Sequence, residues 1–218
     1  MKTRFSFKLF ANILFIPILV FQYIPVQATG GESVPAFSDF KATVSDGRSG
    51  KVSGVYIPGV LASKVVQQSA SNPGYVSPIE GVVTQFSMAI PYGVIGLLAH
   101  DNLAGENFVN LQIGQEVRII YGDGIVSYYT IRSINRYKAI DSHSPVSNFA
   151  DLNSGTIYTA AQIFAMYYQG GDHVIFQTCI AWDGNLSWGR LFITATPDVP
   201  IQIVTPSTNI SQYLSYYK

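Results

Sequence analysis

Three residues of this chain have side chains suited to covalent chemistry and stand in telling places. Cys179 is the only cysteine, and it lies in "VIFQTCIAWDGNLSWGRLFI" (174–193), behind one apolar run and ahead of Arg190, which opens another. His100 closes a third run, "VIGLLAH" (94–100), just before the loop-like "DNLAG". A thiolate can attack a carbonyl carbon and form a thioester. An imidazole can protonate the leaving amine and later take a proton from the incoming nucleophile. A guanidinium, with backbone N–H groups beside the sulfur, can hold the oxygen that gains charge in between. If the three strand ends converge, they form a site for acyl transfer. Cations beside a thiol are expected to lower its pKa from about 8.5, so that some or all of it becomes thiolate.

Each residue also has a plainer reading. A free cysteine is among the most buried residue types and can sit in a strand as a small hydrophobe. A histidine at a strand end is more often a satisfied hydrogen-bonder than a catalyst. Arg190 resists that treatment, because a guanidinium among apolar neighbours is costly unless an acceptor or a substrate meets it. Asp101 follows His100 directly, so on extended chain their side chains diverge. His143, in "IDSHSPVSN", reads as a solvent-facing loop residue, and His173, after "GGD", as a cap on a strand entrance. Neither has metal-ligand spacing, and Glu106, Asp141 and Asp151 lack the spacing of a calcium loop. No metal and no cofactor is expected, and no GxGxxG loop is present.

The elements that would carry these residues are strands. "VSGVYIPGV" (52–60), "GVVTQFSM" (81–88), "VIGLLAH" (94–100) and "EVRIIY" (116–121) are short apolar runs separated by turn residues. "IVSYYTIRSINRY" (125–137), "HVIFQTCI" (173–180), "RLFITAT" (190–196) and "IQIVT" (201–205) continue the series. "GDG" at 122–124 is a hairpin signal. Helices are expected only in "GENFVNLQIG" (105–114) and in "YTAAQIFAMYYQGG" (158–171), where Ala, Gln and Met precede a Gly-Gly stop. Abundant Tyr and Phe, 14 and 13 copies, suit pleated sheet. The class expected is all-β, closed or sandwich-like.

The chain of 218 residues is long enough for one domain with a full core. Its formal net charge is zero, with 12% charged residues, so it lacks a basic stripe for nucleic acid. The N-terminus combines Lys2, Arg4 and Lys8 with an apolar stretch from Leu9 to Phe21 and the small-residue site Val26-Gln27-Ala28. Residues 1–28 therefore read as an export signal, either cleaved or kept as a membrane anchor. The body is expected outside the cytoplasm, at the cell surface or free of it. Residues 29–50 read as a linker, 51–205 as the domain and 206–218 as a C-terminal tail.

"SGVYIPGV", "LLAHDN", "NFVNLQIGQEVRIIYGDGIVSYYTIRSI" and "FQTCIAWDGNLSWGRLFI" together resemble the sortases, cysteine transpeptidases of bacterial surfaces. The resemblance runs from about residue 52 to 196, with His, Cys and Arg in the family's order. It implies a closed eight-stranded β-barrel with one or two short helices. It also implies Cys179 as nucleophile, His100 as general acid and base, and Arg190 as oxyanion or substrate clamp. Thr178 would be a substrate-binding neighbour of the nucleophile, assisting through its backbone. Trp182 and Trp188 would line a peptide groove, or pack under a loop. The partners implied are a peptide or protein bearing an LPxTG-type sorting signal and an amine acceptor, such as one of the cell wall.

Other readings are set apart by residue order and context. L,D-transpeptidases place the nucleophile in an "SHGC"-like turn that "FQTCIAW" does not match, and papain-like peptidases place Cys before His. A barrel of the same kind that only hydrolyses, and a secreted binding module with an inert buried thiol, both remain open on sequence.

Overall fold

Between Lys51 and Pro197 the apolar runs favour extended chain, and ten strands of that stretch join one sheet in the structure, a computed structural model that describes residues 34–69, 71–144 and 146–198. Its strands are β1 (Val52–Ile57), β2 (Leu61–Gln67), β3 (Val82–Gln85), β4 (Val94–Leu98) and β5 (Glu116–Tyr121). They continue with β6 (Val126–Ala139), β7 (Phe149–Asp151), β8 (Ile157–Tyr158), β9 (His173–Trp182) and β10 (Asn185–Pro197). Neighbours run β1–β2–β3–β4–β9–β10–β6–β5, and β5 pairs again with β1. Eight strands therefore close on themselves, while β7 and β8 extend outward from β6. The all-β class and the closed eight-stranded barrel expected from sequence both hold. Closure leaves no free edge in the ring.

Alternation along each strand sends one set of side chains inward and the other outward. The inward set includes Ile95, Leu97 and Ala99 after and within β4, Val174 and Phe176 of β9, and Leu191, Ile193 and Ala195 of β10. Phe108 meets Phe176 edge-on at 5.1 Å inside this core. The outward set of the same strands, Val94, Ile175 and Phe192, packs under α2 (Ala160–Tyr168). Tyr167 of α2 stacks on Phe192 with centroids 4.2 Å apart and planes 7° from parallel. A capping box fixes where α2 begins: Thr159 and Gln162 exchange side-chain and backbone hydrogen bonds. The expected helix in 105–114 is a 3-10 turn, Ala104–Asn110.

Several boundaries differ from the sequence reading. The stretch 29–50, expected as a linker, contains α1 (Phe37–Val44), which buries Phe40 and Val44 against Tyr56 and Ile120. β1 admits that helix because Gly54 lies beneath it: a Cβ there would come within 2.8 Å of Val44 Cγ2. β9 runs on through Trp182, so Cys179 is not its last residue, and β10 begins at Asn185, five residues before Arg190. Between them Asp183 and Gly184, with φ of 50° and 76°, make a two-residue turn of the kind that matches strand twist. The expected signal (1–28), strand 201–205 and tail (206–218) lie outside the described residues. Among the described residues no helix is long and apolar enough to cross a membrane.

Candidate active site

β4 and β9 run parallel, with Val94 beside His173 and Leu98 beside Gln177. The ladder continues past the end of β4, since Ala99 N donates to Gln177 O at 3.2 Å. Thr178 Oγ1 then donates to Ala99 O at 2.9 Å, fastening the chain one residue before His100. Continued by two residues, this register sets His100 beside Cys179. On the other flank the antiparallel register pairs Cys179 directly with Arg190. Cys179 and Arg190 are thus paired neighbours in β9 and β10, and extension of β4 by two residues carries His100 to their flank. By alternation all three belong to the outward set, with Val94, Ile175 and Phe192. Cys179 is half-buried and His100 exposed, two residues beyond the part of β9 where Tyr168 of α2 donates its hydroxyl to Gln177.

The loop after His100 is wound tightly around that residue's carbonyl, which accepts from Leu103 N at 3.1 Å and Gly105 N at 3.0 Å. Gly105 is the only residue type that fits there. A Cβ would stand 2.4 Å from Thr178 Oγ1 and 2.5 Å from His100 O. Thr178, expected among the substrate-binding residues with a backbone role beside the nucleophile, is 2% exposed with its hydroxyl committed to Ala99, so its side chain is not available to substrate. It holds the His100 segment in register and does not face a ligand. Gly105 was absent from the sequence reading because its two close partners, Thr178 and the His100 carbonyl, become neighbours only once β4 and β9 pair.

Arg190 rests on main-chain carbonyls of its own hairpin, donating through Nη1 to Gly189 O at 2.8 Å and to Ser187 O at 3.3 Å. Its guanidinium also lies 5.9 Å from the Phe149 ring centroid. The acceptors that make a part-buried guanidinium tolerable are therefore backbone oxygens, which an entering anionic or carbonyl oxygen can supplement. β10 reaches this position through Gly189, where a Cβ would stand 2.4 Å from Tyr137 O. Trp182 and Trp188 flank the β9–β10 turn with centroids 5.9 Å apart. His143 is almost fully exposed beside Asp141, and His173 Nε2 is 2.9 Å from Tyr167 O, so neither joins Cys179. Among the described residues no group of three or more His, Cys, Asp or Glu could hold a metal ion.

The electrostatics differ from the expectation that neighbouring cations would make the thiol a thiolate. Burial pushes the Cys179 thiol above its ordinary value; Arg190 pulls it down, and Asp101 pushes it up. Desolvation outweighs the guanidinium, so at neutral pH the resting sulfur carries its proton. The rate of Cys179 alkylation by iodoacetamide is expected to climb with pH to a midpoint above that of an unfolded-chain thiol. Asp101→Asn removes a charge that disfavours thiolate and should lower that midpoint; Arg190→Ala should raise it. Movement of either midpoint in the opposite sense would contradict this assignment of charges.

No protein-family model matches the chain, and no curated protein matches it. Solved structures similar to it include sortases. Sortase A from Corynebacterium diphtheriae is 13% identical with a TM-score of 0.45, the match covering 70% of this chain and 63% of that one. Sortase C-1 from Actinomyces oris is 15% identical with a TM-score of 0.46, over 77% of this chain and 83% of that one. A Clostridium perfringens sortase D5 transpeptidase is 16% identical with a TM-score of 0.44, over 74% and 88%. These values describe a distant likeness of shape.

Proposed function

We propose that the protein is a sortase-like cysteine transpeptidase, which cleaves a peptide sorting signal through a thioester on Cys179 and passes the acyl group to an amine. The observation that carries this reading is the direct pairing of a half-buried Cys179 with Arg190, beside the end of β4, which leads into the exposed His100. In the proposed cycle the Cys179 proton passes to His100 as the sulfur attacks the scissile carbonyl, and Arg190 steadies the resulting oxyanion. His100 gives a proton to the departing amine and later accepts one from the incoming amine. Because burial raises the thiol's pKa, its deprotonation belongs to the catalytic event, the proton passing to His100 as the sulfur bonds to the carbonyl carbon. On this reading residues 1–28 are an export signal and the chemistry takes place outside the cytoplasm, in the medium or at the cell surface.

The test is product analysis with a library of LPxTG-type peptides, with and without an added amine such as triglycine. Cleavage at one bond, with the amine appended to the new carboxyl end when amine is present, is the predicted result. Cleavage that yields only free acid even with excess amine would instead make the protein a hydrolase. Absence of cleavage throughout would favour a barrel with an inert thiol.

A further inference from the structure

Pairing between β1 and β2 stops at Gly54 and Lys64, although both strands run on past that point. Beyond it Gln67 Nε2 donates to Val52 O at 2.8 Å, a side chain standing where a ladder bond would. The interval so opened is one wall of a cleft of about 410 Å³, whose other wall is the end of α1 and the loop at 46–51. Three exposed cations line it, Arg48, Lys51 and Lys64, against one carboxylate, Asp46. In a chain of zero formal net charge this is a local excess of positive charge, and the cations repel one another until an anion joins them. Asp46 is already engaged: Oδ1 accepts from Arg48 N at 3.0 Å, and Oδ2 lies 3.6 Å from Arg48 Nε. Those contacts orient the guanidinium and leave its terminal nitrogens out of the pair. The loop is pinned to the barrel before any ligand arrives, since Gly47 N donates to Gly122 O at 2.7 Å and Gly122 N to Lys51 O at 2.9 Å.

Arg48 offers a planar fork, Lys51 and Lys64 offer point charges, and all three are donors without acceptor capacity. A fitting ligand brings several acceptor oxygens and more than one negative charge. A phosphate monoester does so at neutral pH, whereas a single carboxylate or a neutral sugar does not. Val44, Val65 and Val66 also line the cleft and suit the carbon part of an ester. We propose that the cleft between β1 and β2 binds a phosphate monoester, its oxygens held by Arg48, Lys51 and Lys64. Such a group can arrive on a small soluble molecule or as the head of a lipid. In the closed ring β1 stands four strands from β9 in either direction, so this site lies across the barrel from Cys179 and is independent of the thioester reading.

Isothermal titration calorimetry at low salt, with glycerol 3-phosphate and with dihexanoyl phosphatidic acid below its micellar concentration, tests the site and its source of phosphate. Saturable binding at millimolar concentrations or below is expected with at least one of them. Tighter binding of the lipid assigns a head group, and equal or tighter binding of glycerol 3-phosphate assigns a soluble ester. Arg48→Gln and Lys64→Gln should each weaken binding by roughly tenfold, through loss of a charge-assisted hydrogen bond, and the double variant should abolish it. Arg132→Gln, which removes a charge that does not line the cleft, should leave the affinity unchanged. No saturable binding of either ligand, an affinity unaltered in the double variant, or equally tight binding of acetate overturns the proposal.

Discussion

Cys179→Ala is expected to abolish peptide cleavage, a loss on the order of 10⁴-fold or more, because the nucleophile itself is gone. His100→Ala should lose on the order of 10²–10⁴-fold, the usual contribution of a positioned acid and base. Arg190→Lys should cost on the order of 10²–10³-fold, since an ammonium cannot reproduce a planar fork aimed at a developing oxyanion. The three losses should not add: once the sulfur is absent, His100 and Arg190 have no intermediate to serve, so double variants should resemble Cys179→Ala. Steady-state cleavage of the best library peptide, with thermal unfolding as a control for fold, measures this. Wild-type turnover in Cys179→Ala would remove the thiol from the mechanism.

Replacing Gly105 with alanine should damage both stability and catalysis, although residue 105 makes no contact with substrate in the proposed cycle. The added Cβ would fall 2.4 Å from Thr178 Oγ1 and 2.9 Å from the His100 carbonyl carbon, and backbone cannot yield as the tip of a long side chain can. Overpacking of this kind costs about 1–3 kcal/mol. Relief requires the His100 segment to leave Thr178, which breaks the clamp that continues β4 alongside β9. A displacement near 1 Å at a reacting group can cost roughly 10²-fold. Gly74→Ala supplies the comparison, because nothing lies within 4 Å of a Cβ there. Urea unfolding and peptide cleavage should separate the two variants; equal behaviour would mean that the loop after His100 does not hold that residue in place.

Much of the barrel was legible because its strands carry uninterrupted apolar runs. "VIFQTCI" and "RLFITAT" read as strands since alternate residues face two apolar layers, the barrel interior and the underside of α2. β2 was not legible, because one of its inward positions is Ser63, a buried hydroxyl that breaks the apolar alternation between Leu61 and Val65. α1 was missed for a related reason: eight residues with two buried side chains give too short a period to read, and its stability comes from packing on Tyr56 and Ile120. The early start of β10 was hidden by the irregular pairing between Asn185 and Gly189, where "NLSWG" keeps no strand period.

For the site, residue types gave the three side chains and the resemblance gave their roles, while their approach is a matter of pairing across strands distant in sequence. The thiol's protonation was misjudged because the sequence displays the arginine but not the burial. A charge of opposite sign is visible as a letter, whereas desolvation depends on what packs over the sulfur. Thr178 was read as a substrate-binding neighbour of the nucleophile, but the alternation that turns Cys179 outward turns the side chain of its predecessor in.

The most direct measurement is the mass of the intact protein after brief exposure to the peptide library without amine, followed by fragmentation to locate any adduct. A thioester-linked peptide fragment on Cys179, released by hydroxylamine and absent from Cys179→Ala, is the predicted result. Turnover with no adduct on Cys179, or an adduct on another residue, would contradict the assignment of this thiol as nucleophile.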